Sequence, residues 1–314
     1  MLLRGCASRS SLPTGEGALY HKEQERSSQQ HACLTARIRA MIYYSRHDNF
    51  SETGSLVVFM KWYKNYMGYV RETLAYLIYL VAPKSESPIK FVVFTVGRSG
   101  STLLTSLLHS HASIFCDDEL FRRRLFSPLR YLNAKERLSN KKAYGFKLNT
   151  YHFRVQKTSD PSELLKSICD MGYVIISLER RNILRQVISH MYALHTDQFH
   201  IRGKEISMES KQFHIDIKKL KQELELFEGY RTMQAELLKP YSYLQIVYED
   251  DLLDSSRHQI TVDRISSFLG ISTATVNSDL KKSTPTDLSR LVTNYEEVKT
   301  YLSSTPYFEY LEMA

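Results

Sequence analysis

The hexapeptide Gly97-Arg98-Ser99-Gly100-Ser101-Thr102 follows an apolar run at 91–96 (FVVFTV). It precedes a stretch, 101–110, in which Leu103, Leu104, Leu107 and Leu108 share one helical face. A loop between a strand and a helix N-terminus gathers backbone N–H groups and the positive end of the helix dipole, and that suits an anion. Gly97 and Gly100 let the backbone approach a ligand closely. Ser101 and Thr102 add hydroxyl donors, and Arg98 adds a charge that persists at neutral pH. The loop is not a Walker A motif. No Lys precedes the Ser/Thr pair and the spacing is too short, which disfavours a Mg²⁺-ATP kinase.

These groups need a scaffold, and the rest of the chain alternates strand with helix. Strands are expected at 91–96, 143–147 (AYGFK), 173–178 (YVIISL) and 243–247 (YLQIV). Helices are expected at 101–110, from Pro161 to about Met171 behind an Asp160 cap, at 183–194, 215–238, 261–269 and 288–302. Apolar strands separated by helices indicate an α/β fold, a parallel β-sheet flanked by helices on both faces. Ligands of such sheets sit beyond the carboxyl ends of the strands. The chemistry is therefore expected just after Val96, Lys147, Leu178 and Val247.

The 314 residues fit one large or two smaller domains of about 150 residues each. A hydrophobic content of 43% and a charged content of 24% are those of a globular protein with ample core. The net charge of +8 favours anionic partners, but Lys and Arg are scattered, so nucleic acid is not an expected partner. The four cysteines, Cys6, Cys33, Cys116 and Cys169, lack CxxC spacing; zinc and dithiol readings fail, and a reducing, cytoplasmic setting fits. The histidines lack ligand spacing, and His109, His111, His190, His195 and His200 read as structural or solvent-facing.

Residues 1–40 read as a disordered extension, 41–87 as an N-terminal helical segment and 88–314 as the main domain. In 60–82, Tyr63, Tyr66, Met67, Val70, Leu74, Leu77 and Val81 share a helical face that suits core packing. Peripheral contact with a membrane through 60–82 is the alternative. Arg71 and Glu72 leave too short an uncharged run to span a bilayer.

The run FTVGRSGSTLLTSLLHSH resembles the 5′-phosphosulfate loop of sulfotransferases that use 3′-phosphoadenosine 5′-phosphosulfate (PAPS), and most resembles bacterial carbohydrate sulfotransferases of the nodulation-factor and trehalose types. The resemblance implies a P-loop-like sulfotransferase fold, PAPS as donor, its desulfated form PAP as product, and no metal. It implies that Arg98 contacts the phosphosulfate while Ser99, Gly100, Ser101 and Thr102 cradle the 5′ end. Glu179-Arg180-Arg181-Asn182 leading to Ser189 resembles the family's 3′-phosphate site, which implies Arg181 and Ser189 as ligands, with Arg180 and Arg185 as near competitors. A guanidinium and a hydroxyl can share one phosphate. Gly145-Phe146-Lys147 resembles the strand end whose Lys approaches the transferring group. Lys281 and Lys282, followed by Asn294-Tyr295-Glu296-Glu297, resemble a C-terminal basic turn and helix that close over the nucleotide. Val247-Tyr248-Glu249-Asp250 resembles a further landmark, read here as structural. The likeness spans residues 91–302.

Many small-molecule members carry a His base two residues after the strand-end Lys. This chain has Asn149 there, with His152 out of register. The resemblance then implies a carboxylate base, Glu119, with Asp117 and Asp118 as rivals and burial expected to raise its pKa. Arg98 and Lys147 would stabilise charge on the transferring group. The implied acceptor is a carbohydrate or glycolipid hydroxyl. Two other readings stand beside this one: a P-loop phosphotransferase, and an inactive membrane-docking protein on the same fold. Oligomeric state is left open.

Overall fold

In the computed structural model, the described residues are 53–81, 89–196, 212–280 and 287–312. The extension expected over 1–40 lies outside them, as do Lys281, Lys282 and His200. The chain divides into two units, 1–68 and 69–314. The described part of the first is the N-terminal portion of helix α1 (Thr53–Val81).

The second unit is built on five strands: β1 (Ile89–Thr95), β2 (Ile114–Glu119), β3 (Ala143–Asn149), β4 (Tyr173–Glu179) and β5 (Tyr243–Val247). They pair in the order β2-β3-β1-β4-β5, and every pairing is parallel. The α/β class with a parallel sheet flanked by helices is as expected, but one strand was not. β2 carries three consecutive acids, Asp117, Asp118 and Glu119, so it does not read as an apolar strand. It is an edge strand with half-exposed positions, and only Ile114 and Cys116 are buried along it.

Alternation along β1 divides the core between the two faces of the sheet. Phe91 and Val93 pack with Leu104, Leu107 and Leu108 of α2 (Ser101–Ser110) and with Val262 and Ile265 of a helix near the C-terminus. Val92 and Phe94 pack on the other face with Leu132 of α3 (Pro128–Arg137), Phe153 of α4 (Tyr151–Gln156), and Leu165 and Ile168 of α5 (Pro161–Asp170). Gly145 is required within the sheet, because a Cβ there would lie 2.2 Å from the Phe91 ring on the neighbouring strand. Asp160 caps α5 by accepting from the Ser162 N–H.

The other α-helices among the described residues are α6 (Ile183–Thr196), α7 (Ile217–Leu238), α8 (His258–Phe268), α9 (Tyr295–Leu302) and α10 (Glu309–Glu312). The helix expected over 288–302 is two pieces, a 3-10 turn at Leu288–Arg290 and then α9. Asn294 interrupts it. Its Oδ1 accepts from the Ile215 N–H, and its Nδ2 donates to Ile215 O and Glu297 Oε2. That segment therefore fastens the chain ahead of α7.

From Tyr69 onward, α1 does not pack as its apolar periodicity predicts. Its buried positions are Glu72 and Ala75, while Leu74, Leu77, Leu80 and Val81 are exposed. The inward face is polar because Glu72 answers specific donors. It accepts from Arg123, from the Phe126 N–H and from Tyr76. No helix among the described residues is long and apolar enough to cross a membrane.

Candidate active site

β1 ends in a tight loop whose backbone is unusual. Arg98 (φ 65°) and Gly100 (φ 86°) both adopt left-handed conformations, and for Arg98 that is strained. The surrounding structure holds the strain in place. The buried Ser99 hydroxyl bonds Thr95 Oγ1. Arg180 donates to Arg98 O (3.2 Å), and Gln186 Nε2 donates to Gly97 O (2.7 Å). Gly100 lies against Tyr248, where a Cβ would come within 2.4 Å of the ring.

The loop opens into a cavity of about 770 Å³ at the carboxyl ends of the strands. Gly97, Arg98, Gly100, Ser101, Thr102, Glu119, Lys147 and Ser189 all line it, while Ser99 packs beneath. Arg98 donates from Nε and Nη2 to Ser189 Oγ at 3.2 and 2.9 Å, joining the loop to α6. Burial, with the charge of Arg180 nearby, lowers the Arg98 pKa to about 10, so it stays charged at neutral pH.

Of the two adjacent arginines after β4, the structure turns Arg181 outward and Arg180 into the cavity. Arg181 is half-exposed and paired with Asp250, and it does not line the cavity. Arg180 is buried, lines the cavity, and stacks its guanidinium over the Tyr248 ring at 4.7 Å. Two features select Arg180. Glu249 accepts from the Arg181 and Asn182 N–H groups, which sets the start of α6, and Asp250 draws Arg181 outward. Within the segment 247–250, Tyr248 forms part of the cavity wall. His190 and His258, expected to be structural or not singled out, also line it.

The acidic group is placed by an irregularity in the β2–β3 ladder. Asp117 pairs with Phe146 and Glu119 with Lys147, which leaves Asp118 as the extra residue of a β-bulge. Glu119 accepts from Lys147 Nζ (3.2 Å), Asn149 Nδ2 (2.8 Å) and the Tyr151 hydroxyl (2.8 Å). Lys147, buried to 1% exposure, also meets Asp118 Oδ1 at 2.6 Å and donates to Thr102 Oγ1 at 3.3 Å. Asp117 is bonded to Tyr144, ion-paired with Lys135 and absent from the cavity lining.

The expectation that burial raises the Glu119 pKa is corrected. Burial does push it up, but the Lys147 charge and the Tyr151 hydrogen bond outweigh it, and the carboxylate lies below its usual range. His152 does not reach the cavity. It is fully buried outside the cavity lining, its Nδ1 accepts from the Asn149 N–H, and burial lowers its pKa to about 4.

No family model and no curated protein matches the chain. Among solved structures, it is similar to a sulfotransferase from Alicyclobacillus acidocaldarius at 16% identity over 72% of this chain and 94% of that one, with a TM-score of 0.42. It is also similar to the mouse sulfotransferase SULT7A1 complexed with PAP, at 16% identity over 70% of this chain and 80% of that one, with a TM-score of 0.37. At TM-scores below 0.5, these likenesses decide neither the family nor the activity of this chain.

Proposed function

We propose that the protein is a sulfotransferase that moves a sulfuryl group from PAPS to a hydroxyl of a carbohydrate or glycolipid. One observation carries the reading: a single cavity is lined by the anion loop with Arg98, by Arg180 and Ser189, and by the Lys147–Glu119 pair. The first group suits phosphates and the second suits proton removal beside a developing negative charge.

The residues fit a doubly phosphorylated nucleotide. Among the described residues, Arg180 Nε is buried without a hydrogen-bond acceptor, with the Glu249 carboxylate 3.9 Å away. A buried guanidinium donor left unmatched is costly, and a phosphate oxygen is its natural complement. In this proposal Arg180 takes the 3′-phosphate role that the sequence likeness assigns to Arg181, sharing it with Ser189. The amides of 99–102 and the Ser101 and Thr102 hydroxyls hold the phosphosulfate end. Lys281 and Lys282 lie outside the described residues, and their part in closing over the nucleotide belongs to the same proposal.

Glu119 takes the acceptor's hydroxyl proton as the acceptor oxygen bonds to sulfur. The bond from sulfur to the phosphate oxygen breaks, and its electron pair stays on the departing phosphate. Lys147 and Arg98 offset the charge on the bridging and non-bridging oxygens. The low pKa of Glu119 makes it a weak base that is always ready, which suits a proton lost late, after the hydroxyl has become acidic by bonding to sulfur. The test is an assay with ³⁵S-labelled PAPS against a panel of sugars and glycolipids. Label transferred to a sugar hydroxyl by the wild-type chain, and not by Lys147→Ala, supports the reading. No transfer to any acceptor overturns it.

A further inference from the structure

Two cavity arginines take no part in the chemistry above. Arg122 follows β2 by one turn, with its N–H donating to Glu119 O (3.3 Å), and Arg154 stands on α4 three residues after Tyr151. Residues three apart on a helix share a face, so Arg154 lies beside the tyrosine that holds Glu119. Both arginines are exposed and both line the cavity.

They differ from the other cations there. Arg98 is bonded to Ser189, Arg180 to the loop, and Lys147 to Asp118 and Glu119. Among the described residues, neither Arg122 nor Arg154 makes a side-chain hydrogen bond or ion pair. The sheet order also separates them from the nucleotide groups. Arg180 and Tyr248 follow β4 and β5, whereas Glu119 and Lys147 lie in β2 and β3 and Arg122, Tyr151 and Arg154 follow those strands, across the β1 loop. Two uncommitted guanidiniums thus flank the proposed base on the side away from the proposed nucleotide groups.

We propose, resting on the sulfotransferase reading, that the acceptor carries an anionic group, a carboxylate or a phosphate, near the hydroxyl to be sulfated. Arg122 and Arg154 bind that group, and so present the hydroxyl to Glu119. A neutral sugar would leave both charges without a partner, whereas an acidic one converts them into charge-assisted hydrogen bonds.

The test compares methyl glucoside, methyl glucuronide and glucose 6-phosphate as acceptors for the full chain and for the double variant Arg122→Gln/Arg154→Gln, with PAP affinity measured on both by calorimetry. The expected result is a kcat/KM at least about ten-fold higher for one of the two acids than for the glucoside, the scale of a single charge-assisted hydrogen bond. That preference collapses in the double variant while PAP affinity is unchanged. Which acid responds distinguishes carboxylate from phosphate. If wild-type protein binds PAP yet favours neither acid, including by using none of the three, the inference fails. It fails also if the preference survives in the variant, or if the variant loses PAP affinity, since the arginines then serve the donor. Absence of PAP binding to the wild type removes the sulfotransferase reading itself.

Discussion

Glu119 stands opposite Lys147 in the β2–β3 ladder only because Asp118 bulges out between Asp117 and Glu119. In an unbulged ladder Asp118 would take that place, and the strand's alternation would carry Glu119 to the other face. The bulge brings two carboxylates to one buried ammonium, Asp118 at 2.6 Å from the exposed side and Glu119 at 3.2 Å within the cavity. Asp118 meets the lysine from the exposed side, and Glu119 lines the cavity with donors on both of its oxygens.

Replacing the proposed base isolates its role. Glu119→Gln keeps the shape and removes the charge, and it is expected to lower kcat by about 10²–10⁴-fold, the usual contribution of a general base. PAP affinity should hardly change, because Glu119 lies on the β2–β3 side of the cavity. Steady-state kinetics and a calorimetric titration check the two halves. Normal turnover in this variant rules the assignment out.

The pH profile carries a direction. The Glu119 carboxylate is held below its usual range by Lys147 and Tyr151 despite burial. A base with a lowered pKa is active above it and is lost as pH falls through it. The acid limb of kcat/KM should therefore lie below about 4.3, the ordinary glutamate value. A limb near neutrality would point to a different base.

The adjacent arginines should behave unlike each other. Arg180→Lys is expected to weaken PAP binding by about 10- to 100-fold, as for loss of a charge-assisted hydrogen bond. Arg181→Ala, which breaks a half-exposed pair with Asp250, should leave it within about three-fold, since such pairs contribute little. Equal losses, or the reverse order, would restore the register expected from sequence.

Gly100 is expected to tolerate no side chain. Gly100→Ala places a Cβ 2.4 Å from the Tyr248 ring at a φ of 86°, and should cost about 2 kcal/mol in urea unfolding. Combining it with Tyr248→Ala removes the clash but not the backbone strain, so the added cost of the glycine change should fall without vanishing. An unaltered unfolding midpoint in Gly100→Ala would mean that the loop is not held as described.

Much of this was legible in the residues, and the failures have physical causes. The runs 91–96, 143–147, 173–178 and 243–247 read as strands because interior parallel strands are apolar on both faces. β2 does not read as a strand because an edge strand can carry acids. Glu119 follows from the family likeness, but the bulge that aims it depends on ladder pairing that no local pattern records. Arg180 and Arg181 differ by one step along the chain, and their directions are set by Glu249, Asp250 and Tyr248 nearly seventy residues away. The apolar stripe of α1 gave the helix but the wrong inward face, because Glu72 meets donors from Arg123 and Phe126 that only the fold supplies.

The most direct measurement is a calorimetric titration of the full chain with PAP in the absence of Mg²⁺, alongside Mg²⁺-ATP. PAP should bind at one site and raise the unfolding free energy by about 2.7 kcal/mol at a hundred times its Kd, with binding lost in Arg98→Ala. Binding of Mg²⁺-ATP alone, or PAP binding that ignores Arg98, would contradict a nucleotide held by the loop after β1.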